Sequence, residues 1–153
     1  PLPNEKPETY VKRASEAKAL NVSERRSQHW VLAADQVVVF ENRILRKVKT
    51  PAEARERLAT LSGKKHDLLG AWCLARQGKI FERGLSRVSV ELFELSPGEI
   101  RTYVAEQKPM SSVACYFLES KGIRLVKSLR GSYHAGLGLP LLEVQAALRR
   151  RGL

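Results

Sequence analysis

An α/β domain, its mixed and twisted sheet flanked by helices, is the fold class this sequence predicts, and three observations carry it. Capping boxes with proline at the first helical position recur at Thr50-Pro51 and Ser96-Pro97, β-branched or alternating runs fall between them, and no internal repeat or low-complexity tract interrupts the 153 residues. The order this implies is αββαββαββα, with more antiparallel pairing than a doubly wound sheet has. At 43% hydrophobic content the chain can bury a core as a single domain over 1–153.

Residues 7–20 read as the first helix, with Pro7 and Glu8 in its first turn and Tyr10, Ala14 and Ala17 recurring on one face. The run 29–40 is too β-branched at its far end for a helix and reads as a strand, which 41–43 turn into a short strand at Ile44-Leu45. Thr50, Pro51 and Glu53 open helix 51–61, and Gly63 is placed to end it. Apolar residues 68–75, a turn at Gln77-Gly78-Lys79 and the alternating 86–93 form a long antiparallel hairpin. Ser96 to Glu99 repeats the box for helix 97–107. Residues 113–118 and 123–129 read as two more short strands, and Leu139-Pro140 opens a last helix to Arg151 whose terminal arginines complement the helix dipole.

Lys+Arg 27 against Asp+Glu 16 leaves a net charge of +11, which favours polyanions such as nucleotides, nucleic acid or acidic lipid. No apolar run approaches the ~20 residues of a membrane helix, and no charged-then-apolar leader opens the chain, so a soluble cytoplasmic protein with no membrane partner is expected. Cys73 and Cys115 each sit inside an apolar stretch without metal-ligand spacing and are expected to be reduced core residues.

Four charged residues stand where chemistry is possible. Asp35 interrupts an apolar run, and a carboxylate there must be paired, hydrogen-bonded or on a metal; it either caps backbone amides or serves a site. Lys18 lies at the border of the first helix's apolar stripe, and Lys47 follows the Ile44-Leu45 strand within a basic stretch; lysines so placed either snorkel to water or meet an anion. Glu119 closes the apolar run 113–118, as a surface residue or a ligand. Together the two acids suit a divalent cation and the two lysines a polyphosphate, provided that they converge. No Walker loop, GxGxxG, HExxH or nucleophile elbow offers another site.

The order and spacing of these pieces resemble the Maf family of nucleoside triphosphate pyrophosphatases. The likeness runs through Glu5-Lys-Pro-Glu-x-Tyr10-Val-x-Arg13-Ala-x-x-x-Lys18-Ala19, then Ala34-Asp35-Gln36-Val37-Val38, Ile44-Leu45-x-Lys47, and Ala54 to Leu58 and Leu61-Ser62-Gly63-x-x-His66. It continues through Leu95-Ser96-x-x-Glu99-Ile100-x-x-Tyr103-Val104 and Gly131-Ser132-Tyr133 to Gly138-Leu139-Pro140-Leu141. The resemblance implies a Maf and inosine-triphosphatase-like fold and the hydrolysis of a nucleoside triphosphate to monophosphate and pyrophosphate with Mg²⁺ or Mn²⁺. It makes Asp35 the catalytic aspartate and Lys18 and Lys47 the phosphate-binding lysines, and the two-acid reading above adds Asp35 and Glu119 as metal ligands. Gln36 and Glu119 fall where branches differ: threonine with glutamine marks the dTTP and UTP branch, whereas Gln with Glu is similar to the 7-methyl-GTP branch.

The family's first strand, its Ser/Pro/Arg-rich phosphate loop and a further acidic residue belong ahead of residue 1, so the chain is expected to match the family domain without its N-terminal part. Val48, Gly70, Ala114-Cys115-Tyr116 and Ala135 stand where the family has Pro, Thr, Gly-Ala-Tyr and Asn. A homodimer is suggested by the resemblance alone. The rival reading is a non-catalytic nucleotide- or nucleic-acid-binding module, with Arg149 to Arg151 and the basic stretch 43–49 on phosphate.

Overall fold

A computed structural model describes residues 1–153, and its architecture is α/β: an antiparallel five-stranded sheet in the order β2-β1-β3-β4-β5 with flanking helices. The elements are α1 (Pro7–Arg25), β1 (Val31–Phe40), β2 (Arg43–Ile44), α2 (Pro51–Leu61), β3 (Lys65–Arg76), β4 (Lys79–Leu92), α3 (Pro97–Gln107), β5 (Val126–Arg130), α4 (Tyr133–Gly136) and α5 (Leu141–Arg150). No helix is long and apolar enough to cross a membrane. The chain forms two compact units, one from Pro1–Val37, Leu69–Val88 and Gly131–Leu153, the other from Val38–Leu68 and Ser89–Arg130.

In the first unit β3 is buried on both faces, which is why its sequence is a continuous apolar run and not an alternating one. Cys73 and Ala75 pack against Ala19 of α1, while Trp72 and Leu74 pack against Val144 and Ala147 of α5. β1 follows the same parity: Ala33 joins the α1 side and Ala34 the α5 side. The first helix runs further than expected, to Arg25, and its buried face is Val11, Ser15, Ala19 and Ser23, not Tyr10, Ala14 and Ala17. The two serines read as polar, yet their hydroxyls donate to Lys12 O and Leu20 O one turn back, and Ser23 Oγ also accepts from the Gly78 N–H of the hairpin turn, so both can be buried.

In the second unit both predicted capping boxes are present. Thr50 and Ser96 each accept from the N–H three residues on, and Glu53 and Glu99 reach back to the cap residue. Helices α2 and α3 keep the predicted bounds and pack on each other, with Leu58 and Leu61 fully buried. β1 turns into β2 through Glu41 and Asn42, both in the left-handed region, pairing Val39 with Ile44 and Phe40 with Arg43. Gln77 and Gly78, also left-handed, close the β3–β4 hairpin as expected, with each strand longer than its apolar signal.

Two expectations fail together. Residues 113–118 are no strand but an irregular turn, and 123–129 begin as a 3₁₀ turn (Lys121–Leu125) before β5 pairs antiparallel with β4. The apolar run over 113–118 is buried through side-chain anchors and not through a ladder, and Cys115 adopts φ +60°, which ends any strand. The short α4, capped by Ser132 Oγ accepting from Ala135 N–H, had no sequence signal long enough to register.

Candidate active site

Asp35 and Lys18 meet in the first unit. Lys18 is three residues past Ser15 and seven past Val11, so it sits at the edge of the helix's buried stripe, and Asp35 shares a face of β1 with Ala33, the face that looks at α1. Lys18 Nζ donates to Asp35 Oδ1 at 2.5 Å. The carboxylate side chain is 18% exposed and the lysine 56%, so the acid is partly sheltered while the ammonium reaches solvent. An ammonium has three N–H donors, and one on Asp35 leaves two for an anion.

Gln36 points the other way. Strand alternation turns it to the α5 side, where its Nε2 donates to the carbonyl of Ala135 in α4 at 2.7 Å. Gln36 thus ties down the segment that follows Gly131, whose φ of +124° and close approach to Arg87 O leave no room for a side chain. Near Asp35, a Cβ on Gly70 would meet Ser86 Oγ at 2.8 Å, so the buried Ser86 hydroxyl fills the space that a larger residue at 70 would need.

Lys47 and Glu119 belong to the second unit. Val48 is buried, which turns its neighbours Lys47 and Lys49 outward, and Glu53 Oε2 accepts from the N–H groups of Lys49 and Thr50 to set the path into α2. Lys47 lines a cavity of about 470 Å³ with Arg46, Lys49 and Arg57, opposed by Glu53 and Glu56. The lining is net cationic and suits phosphate oxygens. Glu119 is exposed, at the end of the irregular turn. Burial pushes the Tyr103 phenol up; the Phe117 N–H opposes this, and the Glu119 charge adds to it, which places that carboxylate within electrostatic reach of the ring.

Sequence reasoning assigned no role to His66, Tyr103 or Tyr116. His66 Nε2 and Tyr116 Oη stand 2.7 Å apart in the interior, and Tyr103 Oη accepts from Phe117 N–H at 3.1 Å. Burial holds the His66 imidazole down at about 4, with Asp67 opposing, so the ring is neutral at pH 7. The available signal was that His66 and Tyr103 stand in stretches that carry the family resemblance; Tyr116, inside an apolar run, reads alone as core. Cys73 and Cys115 are free and buried, as expected, and burial raises both thiols to about 11.

No group of three or more His, Cys, Asp or Glu side chains stands close enough to cage a metal within the protein. Asp35, with one oxygen on Lys18 and the other available, matches the way Mg²⁺ is commonly held, by one or two carboxylates and the substrate's own phosphates.

A family model described as Maf-like protein matches residues 1–151 of this chain. The dTTP/UTP pyrophosphatase of Shewanella sp. (strain MR-7) is 37% identical over 156 residues, covering 100% of this chain and 80% of the relative. That of Halalkalibacterium halodurans is 35% identical over 142 residues, 93% of this chain and 74% of the relative. A Bacillus cereus protein of the same name is 36% identical over 134 residues, 87% and 69%.

Proposed function

Because the chain belongs to the Maf family, we propose that it is a nucleoside triphosphate pyrophosphatase, cutting its substrate between the α- and β-phosphates. The observation that carries this is the Lys18–Asp35 pair, an acid and a phosphate-seeking cation brought together by helix and strand parity on a chain with that ancestry. In the reaction a water oxygen attacks the α-phosphorus and its proton passes to Asp35. The bond from the α-phosphorus to the bridging oxygen breaks, and pyrophosphate leaves with the electron pair. Lys18 and Lys47 counter the charge of the triphosphate. Asp35 and the substrate's phosphates would hold Mg²⁺ or Mn²⁺, whose contribution would be Lewis-acid polarisation of the phosphoryl group.

For the base, Glu119 with Gln36 supports 7-methyl-GTP. An exposed carboxylate can accept from the ring N–H and amine of guanine and offset the cationic methylated ring. The second reading, favoured by the names of the relatives, is dTTP and UTP. The test is product analysis with Mg²⁺ and each of the three triphosphates. Monophosphate and pyrophosphate are expected, with Asp35→Asn lowering kcat by about 10²–10⁴-fold while the far-UV circular dichroism stays unchanged. Release of inorganic phosphate and a nucleoside diphosphate would mean a different bond and refute the proposal.

A further inference from the structure

Residues 112–120 carry Glu119 at their exposed end and have no regular structure, yet they are tied at three points to the rest of their unit and once within themselves. Arg57 Nη1 of α2 donates to Val113 O at 2.7 Å, and Ser112 Oγ donates to Tyr116 O at 2.8 Å. The Tyr116 hydroxyl meets His66 Nε2 of β3 at 2.7 Å, and the Phe117 N–H meets Tyr103 Oη of α3 at 3.1 Å. Gly122 completes the packing, because a Cβ there would fall 2.3 Å from Phe117 O.

The His66 anchor is costly as a packing solution. Its ring is 3% exposed and its Nδ1 has no hydrogen-bond partner, so an apolar side chain of similar volume would avoid an unmet polar atom. What an apolar residue cannot provide is a fixed point for the Tyr116 hydroxyl. Orphaned N–H groups are rarer than under-satisfied acceptors, which favours the tautomer in which Nε2–H donates to Tyr116 and Nδ1 is the unmet acceptor. Tyr103 acts two residues before Glu119, on the backbone itself, with its phenol inside the carboxylate's field.

We propose that His66, through Tyr116, and Tyr103, through the Phe117 amide, are positioning residues that hold Glu119 at one place against the base of the substrate. The inference rests on Glu119 reading the base, as set out above. It predicts that loosening either anchor erodes discrimination between bases while the cleavage step survives.

Tyr116→Phe and Tyr103→Phe each remove one hydroxyl and no carbon, so the fold is kept. The readouts are kcat and KM for 7-methyl-GTP, dTTP and UTP, together with amide hydrogen exchange at Phe117. Each variant should compress the ratio of kcat/KM between preferred and poor bases by about five- to tenfold, through KM, and speed exchange at Phe117 by a similar factor. His66→Gln, which keeps an N–H donor near the position of Nε2, should retain more of the ratio than His66→Leu. If Glu119→Gln shifts the ratio while both tyrosine variants leave it unchanged, or lower kcat/KM equally for all three bases, the positioning role is overturned and the base reading stands. If Glu119→Gln itself leaves the ratio unchanged, the base reading falls, and the positioning role with it.

Discussion

Lowering the pH from 7 to 5 should weaken the fold by about 2 kcal/mol through His66 alone. The imidazole titrates at about 4 in the folded state, against 6.5 when free, because burial penalises its charged form more than Asp67 favours it. Between those values the unfolded chain binds the proton and the folded chain does not. Stability from this group is therefore complete above about 6.5, falls as the pH drops, and levels off below about 4, where the loss reaches about 3 kcal/mol. The carboxylates held low by partners, such as Glu82 by Arg150 and Glu91 by Lys127, lose their contribution in more acid solution, so the window from 6.5 down to 5 isolates the histidine. Urea unfolding at pH 7 and pH 5 should show a midpoint lower by about 1 M at the acid pH, for a slope near 2 kcal/mol/M. His66→Gln should abolish that difference. Tyr116→Phe should keep it, because burial and not the tyrosine is the cause of the shift. A wild type whose midpoint does not move between the two pH values, or a His66→Gln protein that still moves, would refute the reasoning.

Lys18→Met should leave the unfolding free energy within about 1 kcal/mol, since its ion pair with Asp35 is partly exposed, while lowering kcat/KM for the triphosphate well beyond what that stability change explains; equal losses in both would make the pair structural. Gly84→Ala should destabilise by about 1–3 kcal/mol and perturb the fluorescence of Trp72, because the added Cβ would lie 2.4 Å from the indole Nε1; thermal and fluorescence melts check it. Thr50→Ala removes one half of a capping box and should cost about 1 kcal/mol in a denaturant titration.

The parts of the fold that sequence reading recovered are those whose causes lie within a few residues. Thr50 with Glu53 and Ser96 with Glu99 announce α2 and α3 because each box is closed by groups three positions apart. Turns at Glu41-Asn42 and Gln77-Gly78 likewise depend on local backbone preference. The misread stretch depends on distant residues: Tyr116 is held by His66, fifty positions earlier, and nothing in 113–118 distinguishes an apolar run buried by such anchors from one buried in a ladder. The face of α1 differs for a related reason, since Ser15 and Ser23 donate to carbonyls one turn back, with Ser23 also accepting from Gly78, and bury what composition counts as polar. Family resemblance marks Lys18 and Asp35 as site residues but not as a pair, because seventeen residues and two elements separate them and their ion pair depends on the packing of α1 against β1.

One property of β1 decides how the candidate site divides its labour. Asp35 and Gln36 are adjacent in sequence, yet a strand sends neighbours to opposite faces. Asp35 joins Ala33 on the side of α1, where a lysine from the helix edge meets it; Gln36 joins Ala34 on the side of α5, where it fastens Ala135. With its amide donating to a backbone carbonyl, Gln36 has a structural task whatever the substrate. In the proposed function, its part in base selection is the placement of the segment from Gly131 to Gly138. The same logic holds at the other carboxylate, where Glu119 is exposed but its backbone is fixed from α2, β3 and α3. The charged candidates Lys18, Asp35, Lys47 and Glu119 therefore stand at exposed or partly exposed positions, whereas the polar groups of His66, Tyr116 and Tyr103 are buried and bond within the protein.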